Sequence, residues 1–160
     1  MFDRFGEFDS SDEINEIAVN LRKEGDNESI QILAKENGIE IAMADMFING
    51  DLLWLCEPLD AALGKIEIEK KEIAFTEIID DWCEYIKCCC MNDNEFAIKV
   101  RSKKKSLKGA IAVLLKWSFK NMKDVDKDIV KASGISAGRV ALGIPSQKTV
   151  KKLITEYYMG

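Results

Sequence analysis

Residues 10–25 have the sequence SSDEINEIAVNLRKEG, which carries start, periodicity and stop signals for an α-helix. Ser10 followed three residues later by Glu13 is a capping box, in which side chains satisfy free backbone N–H groups at a helix start. Apolar side chains recur at helical spacing inside the stretch, and Gly25 stands where a helix is commonly closed. The sequence therefore predicts a helix near residues 11–24.

The same signals recur further along the chain. Asp26 is placed to cap a second helix that ends at residues 37–38, Asn-Gly, and a third short helix ends at residues 49–50, again Asn-Gly. Pro58 suits the first turn of a further helix. With only 2 Pro and 10 Gly in 160 residues, we predict an all-α, mostly helical protein with short connections.

Two later segments differ in how clearly they predict structure. Residues 65–73 alternate apolar and acidic side chains, so they fit a short β-hairpin as well as a helix end. Residues 75–90 carry an apolar stripe over four helical turns, which indicates a core helix or the seam of a partner helix. The members of this stripe are Phe75, Ile78, Ile79, Trp82, Ile86, Cys89 and Cys90.

The other face of that predicted helix is acidic. Glu77, Asp81 and Glu84 lie at positions i, i+4 and i+7, and Asp80 lies beside them. Such a set could hold a divalent cation, but an exposed acidic stripe explains it more simply, because the opposite face is apolar. We therefore expect these four carboxylates to bind a partner and expect no metal site.

A second strong helix is predicted after residues 91–93, Met-Asn-Asp, which break the first one. Ser106 is placed to cap it. The side chains expected to face inward are Leu107, Ala110, Ile111, Leu114, Leu115, Ser118 and Met122.

Charge is divided unevenly along the chain. Residues 1–98 hold 24 Asp and Glu against 8 Lys and Arg, whereas residues 99–152 hold 15 Lys and Arg against 3 acids. We expect two small helical lobes, an acidic one over 1–98 and a basic one over 99–160. Such separation is typical of proteins that bind a polyanion or imitate one. Alternatively, the two lobes neutralise each other across an internal interface.

The composition argues against catalysis. The chain has no His, which removes the commonest general base and the usual activator of a Ser or Cys nucleophile. Its five Cys lack the spacing of a disulfide framework and are expected to be reduced thiols. We expect a protein that is not an enzyme and needs no cofactor. With no apolar run long enough for a membrane span and no secretory leader, it is expected to be cytoplasmic.

Residues 128–142, Asp-Ile-Val-Lys-Ala-Ser-Gly-Ile-Ser-Ala-Gly-Arg-Val-Ala-Leu, resemble the helix-turn-helix of bacterial repressors, within a helix-turn-helix-like segment 126–158. In this resemblance Gly134 makes the turn, Ser136 caps a second helix, and Val140 packs that helix back onto Ile129 and Val130. The resemblance places Ser136, Ala137 and Arg139 near bases, with Arg139 able to pair with guanine. The family usually has a branched aliphatic residue where Gly143 stands.

The whole chain is also similar to small proteins from phages and conjugative elements of gut bacteria. The similarity rests on the opening MFDRFGEFDS, the Glu-Gly-Asp and Glu-Asn-Gly turns, the closing GRVALGIP and the late Tyr-Tyr pair. Some small mobile-element proteins are anti-CRISPR inhibitors, which block Cas nucleases by occupying channels for nucleic acid.

These patterns give two hypotheses. The first is an anti-CRISPR-type inhibitor that binds a Cas9-type nuclease ribonucleoprotein, with acidic helices imitating phosphates. The second is a helix-turn-helix regulator that binds double-stranded DNA, in which the acidic lobe forms a homodimer or recruits a partner. The residues expected to contact nucleic acid are Lys103, Lys104, Lys105, Lys108, Ser136, Arg139, Lys148, Lys151 and Lys152.

Overall fold

The computed structural model describes residues 3–73 and 77–160. Within these ranges the chain forms nine α-helices and one antiparallel pair of two-residue strands, so the prediction of a mostly helical protein is confirmed. The elements in order are α1 (Ser11–Glu24), α2 (Asn27–Glu36), α3 (Ile41–Asn49), α4 (Pro58–Lys71), α5 (Ile78–Asn92), α6 (Asn94–Arg101), α7 (Leu107–Lys120), β1 (Lys123–Asp124), α8 (Lys127–Ala132), β2 (Ala141–Leu142) and α9 (Gln147–Met159).

Helix α1 begins and ends as its local sequence predicts. The Ser10 hydroxyl accepts the N–H of Glu13 at 3.2 Å, which satisfies one of the free donors of the first turn. The Glu13 carboxylate accepts the N–H of Asp9 at 2.7 Å, one residue before its place in a standard capping box. Gly25 closes the helix with φ of 75°, in the left-handed region where glycine has no steric penalty.

Other helix boundaries also follow short-range side-chain chemistry. Asp26 accepts the N–H of Ser29 at the start of α2. Asp93 breaks α5 as predicted and caps α6. Ser146 caps α9 by accepting the N–H of Thr149. These boundaries confirm the predicted helix starts.

The chain divides into two compact units. One comprises the residues up to Lys108 together with Met159, and the other comprises residues 109–158 with Gly160. The first carries 24 Asp and Glu against 14 Lys and Arg, and the second carries 4 against 9, so we call them the acidic unit and the basic unit. Charge alone places a boundary after residue 98, whereas the structural division falls after Lys108. The lysine run therefore belongs to the acidic unit.

The acidic unit buries its apolar face among α1, α2, α3 and the segment that leads into α4. Fully buried members of this core are Ile14, Ala18, Ile30, Leu33, Ala34, Ala44, Phe47 and Leu55. Helix α4 then packs against both α5 and α6. This arrangement sets the middle of α4 beside the end of α6.

A close approach of two backbones fixes how α4 lies against the turn after α2. A Cβ atom added to Gly64 would lie closer than 3.0 Å to the carbonyl oxygen of Asn37 and to the backbone of Gly38. No other residue fits at position 64 without a shift of backbone. Gly38 itself has φ of 68°, which makes glycine the preferred residue on the other side as well.

The alternative of a short hairpin at residues 65–73 is wrong for the greater part of that segment. Residues 65–71 form the last turns of α4. Burial follows helical spacing, since Ala62, Lys65 and Ile66 are all buried. The helical face of this segment packs against neighbouring helices, and this packing decides the structure. The alternation of acids and isoleucines along the sequence does not decide it.

The buried face of α5 is rotated from the predicted stripe. Ile79 and Ile86 are buried, as predicted, together with Cys83 and Cys90. Ile78, the first residue of α5, is 52% exposed, so its predicted burial is wrong. Phe75, the first predicted member of the stripe, lies outside the described residues.

Helix α7 buries only its first half. Leu107, Ala110 and Leu114 are buried as predicted. Leu115 and Met122 are 57% and 47% exposed, so their predicted inward positions are wrong. The basic unit therefore does not bury all the apolar side chains of this region in its own core.

The second helix of the predicted helix-turn-helix is absent. Helix α8 ends at Ala132 and Gly134 has φ of 70°, as that motif requires. Residues 135–140 are not helical, however, so Ser136 caps nothing. The expected packing of Val140 onto Ile129 is also wrong, because Val140 accepts the N–H of Val125 and Ile129 is exposed.

Two contacts within the basic unit explain why this helix does not form. Strand β2 pairs with β1, with Lys123 opposite Leu142 and Asp124 opposite Ala141, which draws the chain into an extended form. A Cβ on Gly143 would lie closer than 3.0 Å to the carbonyl oxygen of Ser118, so the branched side chain of a helix-turn-helix has no room there.

Candidate nucleic-acid and partner interfaces

The lysine run after α6 is held by its backbone on the acidic unit. The ammonium of Lys65, only 1% exposed, contacts the carbonyl oxygens of Ser102 at 2.7 Å and Lys105 at 2.8 Å, and that of Arg101 at 3.3 Å. It also lies 3.0 Å from a carboxylate oxygen of Glu7. A cation at a helix C-terminus binds the free carbonyls and the negative end of the helix dipole. Lys65 is therefore the anchor of the end of α6.

Two carboxylates fix the rest of the run. One turn beyond Lys65 on α4, Glu69 accepts the N–H of Leu107 at 2.6 Å and so holds the start of α7. Burial raises the pKa of the Glu69 carboxyl, and the Leu107 N–H opposes that rise. Asp9 accepts the N–H of Lys103 at 2.7 Å, and this hydrogen bond lowers the pKa of Asp9.

Two of the four lysines predicted to bind nucleic acid in this run have a carboxylate neighbour. The ammonium of Lys103 lies 3.9 Å from Glu13, and that of Lys108 lies 2.9 Å from Glu72. Lys104 is exposed, whereas Lys105 is half-buried. Lys103 and Lys108 therefore share their surface with carboxylates of the acidic unit.

The cations of the basic unit are differently placed. All nine of its Lys and Arg side chains are exposed, including the predicted Lys148, Lys151 and Lys152 on α9. These three lie at helical spacing i, i+3 and i+4 on the side away from the buried Val150 and Ile154. The Lys152 ammonium lies 3.7 Å from a carboxylate oxygen of Glu156. Both side chains are exposed, and such an ion pair contributes little free energy in water.

Ser136 and Arg139, which were predicted to contact bases, line an open groove of about 520 Å³. They lie on the loop between α8 and β2. The Arg139 guanidinium donates from Nε to Asp124 at 2.7 Å. Lys127 and Lys131, which sequence reasoning did not single out, line the same groove from α8. These two lysines are four residues apart on the predicted helix that ends at Gly134, and this spacing was the sequence pattern that could have identified them.

The predicted acidic stripe on α5 is broken by the structure. Glu77 precedes the helix and has a positive φ of 58°, so it does not continue the helical face. Asp80 lies 2.7 Å from Lys70, and this hydrogen bond lowers the pKa of the carboxyl. Glu84 lies 2.8 Å from Lys87, and Asp81 is exposed.

The cysteines are free thiols, and three of them are buried. Burial raises the pKa of Cys83 to about 11 and that of Cys56 and Cys90 to about 12, so these three are protonated at neutral pH. A protonated thiol is neither a metal ligand nor a strong nucleophile. Across residues 3–73 and 77–160, no group of three or more Cys, Asp or Glu side chains is arranged to hold a metal ion.

None of the helices in the described part of the chain has the length and hydrophobicity needed to cross a membrane. Comparison of the chain with family models, with curated proteins and with solved structures found no match.

Proposed function

We propose that the protein is a non-enzymatic binding protein whose basic unit contacts nucleic-acid phosphates and whose acidic unit contacts a cationic protein surface. The concrete form of this proposal is an anti-CRISPR-type inhibitor of a Cas9-type ribonucleoprotein. In such a ribonucleoprotein, nucleic-acid phosphates and cationic protein surface lie side by side. The observation that carries it is the unequal charge of the two units, 4 acids against 9 cations in one and 24 against 14 in the other.

The exposure of the cations supports the first half of the proposal. Every cation of the basic unit is exposed, and phosphate binding requires side chains that can exchange water and salt ions for phosphate oxygens. The groove beside Lys127, Lys131 and Arg139 adds a concave surface to the exposed lysines of α9. Without a recognition helix, the contacts favoured are those to the sugar-phosphate backbone rather than to base edges.

The remaining negative charge supports the second half. Lysines pair with some acids of the acidic unit, among them Glu67, Glu72 and Asp80, but the unit keeps ten more acids than cations. A surface of that sign steers a basic partner toward it and raises the association rate. The regulator hypothesis has no comparable support, because its reading helix is absent.

The test is binding to a guide-loaded Cas9-type nuclease. We expect the wild-type chain to co-purify with the ribonucleoprotein and to slow its cleavage of target DNA. The triple change of Lys148, Lys151 and Lys152 to Gln is expected to weaken binding by about tenfold, because each lost phosphate contact lowers the logarithm of the binding constant.

A matched control separates this effect from a change in net charge. Lys35, Lys71 and Lys99 are three exposed cations of the acidic unit, and their change to Gln alters total charge equally. Equal weakening by both triple variants would contradict a specific role for the basic unit. Absence of any complex with the ribonucleoprotein would contradict the proposed target.

A further inference from the structure

The acidic unit contains an open groove of about 560 Å³ between α1 and the segment that leads into α4. One wall is the exposed face of α1, with Asp12 and Glu16. The facing wall is formed by Trp54, Cys56 and Glu57. An aromatic ring and three carboxylates thus line one groove, within a single unit of the protein.

The backbone beside Trp54 is held by hydrogen bonds, while the Trp54 side chain is exposed to solvent. This side chain is 54% exposed, although the next residue, Leu55, is fully buried. Asn15, itself buried, donates from Nδ2 to the carbonyl of Cys56 at 2.8 Å and accepts the N–H groups of Leu55 and Cys56 at 3.0 and 3.1 Å. These three hydrogen bonds fix the backbone immediately after the tryptophan.

The other side of Trp54 is fixed as well. Arg22 donates to the carbonyl oxygen of Phe47 at 2.9 Å and to that of Leu52 at 3.3 Å. The guanidinium also stacks 4.0 Å from the centre of the Phe47 ring. The backbone is therefore fixed by hydrogen bonds on both sides of Trp54. An exposed aromatic side chain on such a preorganised backbone is typical of a binding hot spot.

The charge of the groove selects its ligand. Asp12, Glu16 and Glu57 are exposed, and none has an ion pair within the described part of the chain, while Lys23 is the one cation among the described lining residues. The starts of α1 and α4, which lie at the two walls, already have hydrogen bonds to capping side chains. Ser10 accepts the N–H of Glu13, and Asp60 accepts the N–H of Glu57 at 2.9 Å. Full negative charges beside an open indole favour a flat cation, which gains from both the carboxylates and the ring face.

We propose that this groove binds an arginine side chain of a basic protein segment, with the guanidinium on Trp54 and paired with Glu16 or Asp12. The inference deepens the proposed function and rests on it, since it names the part of the acidic unit that contacts the cationic partner. Arginine is favoured over lysine because its planar group both stacks on an indole and pairs with a carboxylate.

The test is titration of the full chain with a short capped tetra-arginine peptide, followed by the NMR signal of the Trp54 indole N–H. We expect saturable binding that shifts this signal, with a capped tetra-lysine peptide binding several-fold more weakly. Trp54→Ala and Glu16→Gln are each expected to weaken tetra-arginine binding by about fivefold to tenfold.

Two matched variants serve as controls. Leu53→Ala removes a still more exposed apolar side chain, 78% exposed, from the same loop but outside the described lining of the groove. Glu28→Gln removes an exposed carboxylate from α2. Both are expected to bind the peptide like the wild type, and circular dichroism checks that every variant is folded.

The outcomes separate this inference from the proposed function. Equal loss from Glu28→Gln and Glu16→Gln, or no shift of the Trp54 signal, would overturn the groove as a site. If the wild type still binds the ribonucleoprotein in that case, only the inference fails. If the peptide binds at the groove and the ribonucleoprotein does not bind, the groove stands and the proposed target fails.

Discussion

Replacing Lys65 by methionine is expected to lower the free energy of unfolding of the acidic unit by about 3 to 5 kcal/mol, the usual cost of removing one member of a buried ionic cluster. Methionine preserves most of the side-chain volume, so the change removes charge and hydrogen bonds rather than packing. The carbonyl oxygens of Ser102 and Lys105 and the carboxylate of Glu7 would lose their short contacts to the ammonium.

This effect is measured by urea unfolding in a Trp117→Phe background. That background leaves Trp54 and Trp82 as fluorescent reporters, both in the acidic unit. Lys71→Met is the control, because Lys71 is an exposed lysine at the end of the same helix. A loss below about 1 kcal/mol for Lys65→Met would show that the cluster is held together by other contacts.

Gly64→Ala is expected to destabilise the same unit by about 3 kcal/mol, at the upper end of the range for overpacking. The added methyl group would meet the carbonyl of Asn37 and the backbone of Gly38, which are not flexible side-chain ends that can move aside. Relief requires α4 to move away from the turn after α2, and that movement would disturb the buried hydrogen bond from Arg101 to the Asn37 side chain, 2.7 Å long.

The matched control is Gly138→Ala. Nothing lies within 4 Å of a Cβ at position 138, and this glycine does not have a positive φ. We expect its stability to remain within about 0.5 kcal/mol of the wild type, as for most surface changes. If Gly64→Ala behaves like Gly138→Ala in thermal unfolding, the close approach of α4 does not constrain the fold.

Local chemistry explains which parts of this fold the sequence predicted. The caps at Ser10, Asp26 and Ser146 act over three residues, so the residues that decide them are neighbours in the chain. The left-handed Gly25 and Gly134 are recognisable for the same reason. Helix boundaries and the all-α class follow from such short-range signals.

Long-range contacts explain what the sequence did not predict. The expected helix after Gly134 is replaced by a loop and the two-residue strand β2, because residues just under twenty positions apart pair and because Gly143 lies against the Ser118 carbonyl. The burial of Lys65 depends on the end of α6 and the residues up to Lys105 meeting the middle of α4. Nothing near Lys65 in the sequence distinguishes it from the exposed Lys71.

The candidate sites divide in the same way. Lys148, Lys151 and Lys152 are exposed on α9, as contact with phosphates requires, and their binding of nucleic acid stays a prediction. The charge pattern placed Lys103 and Lys108 wrongly in a basic lobe, since both lie on the acidic unit beside Glu13 and Glu72. Trp54 was missed because exposure of an aromatic residue depends on the fixed backbone around it.

Contact of the basic unit with nucleic-acid phosphates is tested by the salt dependence of duplex DNA binding by the full chain, followed by fluorescence anisotropy between about 50 and 200 mM salt. We expect the logarithm of the binding constant to fall with the logarithm of the salt concentration with a slope of about −3 or steeper, and we expect the change of Lys148, Lys151 and Lys152 to Gln to make that slope shallower by about 2 to 3. No binding at the lowest salt, or a slope unchanged in this variant, would contradict that contact.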